Sequence, residues 1–177
     1  DQVGIREAKL YQPTAEELAN SQTFDYPQKA PFAGQMMRMI DKVETYIPNG
    51  GPHGLGFIKG TKVVDPDEWF FKAHFYQDPV CPGSLGLESY LQLMKVGLAD
   101  KFEIDEGERL EAIAVGKDHE WVYRGQIIPP DDLVTVEAVI TEIDKQKRLI
   151  KADGYLSVDG RIIYGMKDFT AEIRPHG

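Results

Sequence analysis

The chain has 177 residues, 42% of them hydrophobic, a single domain's length with enough apolar side chains for a sizeable core. A formal net charge of −9 offers no general basic surface for phosphate backbones or anionic lipid, which argues against nucleic-acid and membrane partners. The one cysteine, Cys81, has no partner for an internal disulfide, so a reducing cytoplasmic setting is the default, and no apolar run nears the roughly 20 residues of a membrane helix.

The N-terminus lacks a basic-then-apolar signal pattern, and a first residue of Asp1 fits a piece of something longer. Residues 1–30 read as a polar N-terminal extension, and residues 31–177 as one domain. Within the extension, Pro13-Thr14-Ala15-Glu16-Glu17-Leu18 predicts a short surface helix, with Thr14 as N-cap and Glu17 completing a capping box. Gln35 to Val43 predicts a first strand, closed by the turn Pro48-Asn49-Gly50-Gly51-Pro52. His53 follows as a loop histidine, with no second metal-binding residue type at a workable spacing.

Gly54 to Val64 predicts a second strand, and Trp69-Phe70-Phe71 then runs into FKAHFYQDPVCPGSLGLES, residues 71–89. Beyond that window Leu85 to Asp100 predicts a helix. Leu87, Leu91, Met94 and Leu98 mark one stripe, and Leu85, Tyr90, Leu93 and Val96 widen it, which fits a helix buried on several sides. Five further strands are predicted over Leu110–Val115, His119–Ile128, Leu133–Ile143, Arg148–Val158 and Arg161–Ile173, with a tight hairpin at Asp159-Gly160. Two strands, one long helix and a run of antiparallel strands make an α+β domain whose sheet curls around the helix.

The chemistry concentrates in the window. Pro79 and Pro82 disfavour helix, so the long helix can begin only near Gly83, leaving the N–H groups of Gly83, Ser84 and Leu85 free to polarise a carbonyl oxygen. Glycine at 83 lets a substrate approach the backbone closely. Glu88 falls one turn into the helix with Gln92 four residues on, within reach to orient it. Desolvation on a buried helix favours the neutral acid. His74, expected at the end of a strand before the loop, is the matching base. A base, an acid and an electrophilic N–H suit proton removal alpha to a thioester carbonyl with loss of a beta-hydroxyl as water. Spacing alone equally admits a capping histidine, a salt-bridged glutamate and glycines that shape a turn.

Other residues are weaker candidates. Cys81 reads as a small loop filler rather than a nucleophile, since no base is paired with it. His74 and Asp78, four apart, would need a helix to share a metal, and Pro79 opposes one, so no metal is expected. Residues 144–151, DKQKRLIK, form the most basic segment and could dock an acidic carrier protein or simply be a solvated hairpin.

His74-Phe75, Asp78-Pro79-Val80-Cys81-Pro82-Gly83, Leu85-Gly86-Leu87-Glu88 and Gln92 stand in register with a known pattern. The run resembles the active-site segment of the hot-dog-fold 3-hydroxyacyl-ACP dehydratases, of beta-hydroxydecanoyl-ACP dehydratase-like type, and is especially similar to dehydratase domains of polyunsaturated fatty acid synthases. The resemblance implies a sheet wrapped round a central helix and a homodimer or tandem hot-dog pair. It implies His74 as base from one unit and Glu88 as acid from the other. Val80 would hold the histidine ring through its carbonyl, Gly83 would bind the thioester oxygen through its N–H, and Ser84 and Gln92 would complete the substrate-binding set. The implied substrate rides the phosphopantetheine arm of an acyl carrier protein through a narrow apolar tunnel, and no metal or redox cofactor is implied. The branch that also isomerises carries aspartate at the acid and cysteine after the glycine. Here these are Glu88 and Ser84, so dehydration is the implied reaction and double-bond isomerisation is left open. A hot-dog thioesterase and a non-catalytic hot dog within a larger synthase are the rival readings.

Overall fold

A computed structural model describes Ile5 and residues 8–176. Helix α1 (Ala15–Ala19) carries the expected capping box: Glu17 N donates to Thr14 Oγ1 at 3.2 Å, and Thr14 N donates back to the Glu17 carboxylate at 2.8 Å. The same carboxylate accepts from Gly51 N at 2.9 Å and from the Tyr11 hydroxyl at 2.8 Å, which pins the leader to a turn of its own domain. Strand β1 (Gln22–Asp25) follows and pairs antiparallel with β2 (Lys42–Ile47).

The first predicted strand is corrected. Gln35–Met37 is a single 3₁₀ turn, and extended pairing begins only at Lys42. The reason lies far along the chain: the Gln92 side chain occupies the Met37 carbonyl (2.7 Å) and the Met39 N–H (2.8 Å), groups a strand ladder would need. Strand β3 (Phe57–Val63) starts later than expected because Gly54 and Gly56 take positive φ (65° and 142°) in the preceding turn.

The predicted extended entry to the window is corrected too. Trp69–Ala73 forms a short helix, α2, with His74 as its C-cap rather than at a strand end. Phe70 and Phe71 are buried and point that turn into the core. Helix α3 (Gly83–Lys101) begins directly after Pro82. It is buried on several sides, from Leu85 and Gly86 through Tyr90, Gln92, Met94 and Leu98.

Strands β4 (Glu108–Glu111), β5 (Glu120–Tyr123), β6 (Leu133–Asp144), β7 (Leu149–Val158) and β8 (Arg161–Pro175) complete one antiparallel sheet ordered β1-β2-β3-β6-β7-β8-β4, with β5 also pairing β8. Strand β5 stops short of the predicted Ile128 because the Ile127 carbonyl accepts Cys81 N (2.9 Å) from the loop before α3. The Asp159-Gly160 hairpin takes φ of 48° and 80°, the signs of a type I′ turn.

Helix α3 packs on β6, β7 and β8. Val134, Val136, Ala138 and Ile140 alternate along β6 into the buried core with it. At Gly97 the helix comes so near the sheet that a Cβ would lie 3.0 Å from Ile58 Cδ1. Tyr90 crosses the core to donate to the Ala152 carbonyl at 2.8 Å. By the same alternation Glu137 is on the opposite face of β6. It is only 4% exposed, and its carboxylate accepts Tyr11 N at 3.0 Å. Burial pushes this carboxyl up to about 7, against the opposing pull of the Tyr11 N–H and the Lys59 charge.

Candidate active site

The loop from His74 to Pro82 is shaped by helix breakers. Helix α2 ends on His74, whose N–H still donates to the Phe70 carbonyl at 3.0 Å. Gln77 then turns the chain with a φ of 56°, and Pro79 and Pro82 keep it from coiling again. Val80, buried at the loop's inner wall, places its carbonyl 3.0 Å from His74 Nδ1. A carbonyl can only accept, so in the neutral ring the proton sits on Nδ1 and Nε2 keeps its lone pair. Phe75 lies against the imidazole with ring centroids 3.9 Å apart.

At the start of α3, Pro82 is the N-cap and supplies no N–H. Its carbonyl accepts Leu85 N (3.0 Å) and Gly86 N (3.4 Å). Among the described residues the N–H groups of Gly83 and Ser84 have no acceptor, so two donors stand together at the positive end of a 19-residue helix. The Tyr123 ring covers Gly83 so closely that a Cβ there would lie 3.0 Å from Tyr123 Cε1. A side chain at 83 would require the Tyr123 ring to give way.

Glu88 is half-buried one turn further on. Gln92 Nε2 donates to Glu88 Oε1 at 3.0 Å. The Gln92 amide cannot flip, because Nε2 also serves the Met37 carbonyl and Oε1 serves the Met39 N–H. On the helix backbone, the Tyr26 hydroxyl donates to the main-chain carbonyl of Gln92 at 3.3 Å. Burial, and secondarily the Glu88 charge, hold the Tyr26 phenol well above its ordinary value, so it remains a donor.

Each candidate thus has a place: His74 with Val80, Gly83 and Ser84 at the helix start, and Glu88 with Gln92. Among the described residues no hydrogen bond joins His74 to Glu88 within the chain. Tyr26, Tyr123 and the backbone of Met37 and Met39 were not legible as site residues. The Glu88/Gln92 spacing shows a local pair, but nothing in the sequence ties that pair to groups more than fifty residues upstream.

Cys81 is buried among apolar residues, and burial pushes its thiol up to about 12, with Lys62 opposing and Glu68 adding. The thiol stays neutral, as a loop filler requires. A small apolar cavity of about 30 Å³ lies under the loop, walled by Met39, Phe70, Phe71, Cys81, Leu85 and Ile127. The basic hairpin at 144–151 lies at the far end of β6 from Val134, a cavity-lining residue, roughly 35 Å along the strand. Two of its cations are engaged, Arg148 with Glu108 (2.5 Å) and Lys151 with Glu142 (3.6 Å). Among the described residues no three or more His, Cys, Asp or Glu cluster as a metal would need, and no helix is long and apolar enough to cross a membrane.

A single long helix gripped by one antiparallel sheet defines the hot-dog class. Solved structures share the fold: the dehydratase heterocomplex ApeI:P from Xenorhabdus doucetiae has a TM-score of 0.56 at 14% identity, covering 79% of this chain and 85% of that one. A mutant of the fluoroacetyl-CoA thioesterase FlK, in complex with fluoro-acetate, has a TM-score of 0.52 at 12% identity, covering 68% and 87%. The chain belongs to the FabA-like domain family, which it matches over residues 32–167. It is 35% identical over 155 residues to a polyunsaturated fatty acid synthase subunit from Thraustochytrium sp. (strain ATCC 26185 / S-3), covering 81% of this chain and 10% of that protein. The chain therefore spans about a tenth of that relative's length.

Proposed function

We propose that this FabA-like domain eliminates water from (3R)-3-hydroxyacyl thioesters on an acyl carrier protein, giving trans-2-enoyl thioesters for fatty acid or polyunsaturated fatty acid synthesis. The observation that carries the reading is the 3.0 Å contact of His74 Nδ1 with the Val80 carbonyl, which leaves Nε2 as a base aimed away from the loop. In the proposed step Nε2 takes the proton alpha to the carbonyl, and the C–H electrons form the double bond. The beta C–O bond breaks, and Glu88, as the general acid, passes a proton to the departing hydroxyl, which leaves as water. Gly83 N–H, with Ser84 beside it, holds the thioester oxygen as negative charge builds on it. Gln92 fixes the direction of the Glu88 carboxyl. The step is redox-neutral, and the only prosthetic group proposed is the carrier's phosphopantetheine arm, with the acyl tail directed toward the apolar cavity under the loop.

The base and acid come from two hot-dog units in this reading, either two copies or a tandem pair. Strand β5 supports it: among the described residues its one strand partner is β8, leaving its other edge open. On β5 Trp121 and Tyr123 stack at 5.8 Å while 36% and 37% exposed, and in the loop after α2 Phe75 and Tyr76 are 54% and 90% exposed. In this reading a second unit covers these aromatics and supplies its Glu88 to this unit's His74. A cytoplasmic location is proposed with this function.

Hydrolysis of the thioester is the rival, since FlK shares the fold. Incubation with crotonyl and 3-hydroxyacyl thioesters separates the two. Dehydration predicts interconversion read at the enoyl absorbance without free thiol; thiol release without interconversion would overturn the proposal. The position of the product double bond, read by mass spectrometry or NMR, decides isomerisation, and Glu88 in place of aspartate predicts that the double bond stays at carbon 2.

A further inference from the structure

Tyr164, on β8, is 1% exposed and reaches across to the first turn of α3. Its hydroxyl donates to the Gly83 carbonyl at 3.2 Å. Its ring presses on the same turn at Gly86, where a Cβ would lie 2.5 Å from Tyr164 Cε2 and 2.6 Å from its oxygen. Tyr123 meets it edge-on with ring centroids 4.9 Å apart, and Trp121 at 5.8 Å closes the outer side. Burial, and then the neighbouring Tyr123, hold the Tyr164 phenol above its ordinary value, so the group stays a protonated donor.

The two free N–H groups at the helix start belong to two peptide units. Gly83 N–H shares a peptide with the Pro82 carbonyl, which already accepts from Leu85 and Gly86. Ser84 N–H shares a peptide with the Gly83 carbonyl, the acceptor of the Tyr164 hydroxyl. A hydrogen bond received at a carbonyl polarises its peptide and strengthens the N–H at the other end. We propose that Tyr164 is a positioning residue for the thioester-binding N–H pair: it fixes the Gly83–Ser84 peptide and makes Ser84 N–H a stronger donor to the thioester oxygen. This rests on the dehydratase reading and adds to it a second, tuned donor.

Tyr164→Phe keeps the ring against Gly86 and removes only the hydroxyl. With a 3-hydroxyacyl pantetheine thioester, kcat falls about 10-fold, the effect of weakening rather than deleting a donor, while KM changes little. The infrared carbonyl stretch of a bound crotonyl thioester, lowered in the wild type by the N–H pair, moves back toward its value in water. The melting temperature is followed alongside. An unchanged kcat and carbonyl stretch overturns the proposal, as does a lower melting temperature with kcat per folded molecule intact, which would leave Tyr164 a packing role alone. A wild-type protein that binds the thioester but does not interconvert hydroxyacyl and enoyl forms overturns the dehydratase reading and this inference with it. An active wild type with an indifferent Tyr164→Phe overturns this inference only.

Discussion

At the scale of single residues, the candidate base and acid are each oriented by one hydrogen-bonding partner within the chain. Val80 holds His74 by a backbone carbonyl, and Gln92 holds Glu88 by an amide whose remaining bonds are used up on Met37 and Met39. His74→Ala should therefore abolish hydration of an enoyl thioester with the circular dichroism spectrum unchanged. Glu88→Gln should cost at least about 10²-fold in kcat, the low end for general acid–base catalysis. Full activity in Glu88→Gln would move the acid role elsewhere. His74, Glu88, Gly83 and Gln92 could be singled out in the sequence because their spacing is local and the breakers Pro79 and Pro82 mark where the helix must begin. Tyr26 and Tyr164 could not, since each acts from a distant segment, 66 and 81 residues from its partner.

At the scale of elements, the sequence pattern located α3 and the last three strands to within two or three residues, because their apolar periodicity is long and their turns carry Asp-Gly or Pro-Pro. It failed where tertiary hydrogen bonds override a local pattern. Residues 35–41 look like strand, but the Met37 carbonyl and the Met39 N–H are claimed by Gln92 on α3. Trp69–Ala73 looks extended beside Asp65-Pro66, but two buried phenylalanines anchor it as a helical turn. The close fit of α3 against β8 gives a sharp test. Gly86→Ala would place a methyl within 2.5 Å of the Tyr164 ring, deep in the core. Overpacking of this kind costs about 1–3 kcal/mol, a drop of roughly 3–10 °C in melting temperature for a chain of this size. A melting curve matching the wild type would mean that the first turn of α3 can back away from β8.

At the scale of the whole molecule, the leader and the sheet are coupled through a titrating group. The Glu137 carboxyl sits near 7 when folded, against about 4.5 when unfolded, so across that interval the folded state binds its proton more tightly. Its contribution to stability is full below about 4.5, declines as pH rises and is spent above about 7. Glu137→Gln keeps an acceptor for Tyr11 N and removes the titration. Urea unfolding at pH 5 and pH 8 should show the variant gaining on the wild type at the higher pH by on the order of 1–3 kcal/mol. An equal difference at both values would mean that Glu137 does not titrate in this range.

Strand β1 and Tyr26 precede the family match, which begins at residue 32, yet one extends the sheet and the other bonds the main-chain carbonyl of Gln92, the residue whose side chain aims Glu88. A fragment cut to start at residue 31 would expose an unpaired β2 edge and open a cavity behind Gln92. It should purify as a poorly soluble protein with slack acid geometry, while one starting at residue 8 keeps both features. The tidy seam that similarity draws is thus a poor place for scissors: whoever excises or transplants this domain must carry the leader with it.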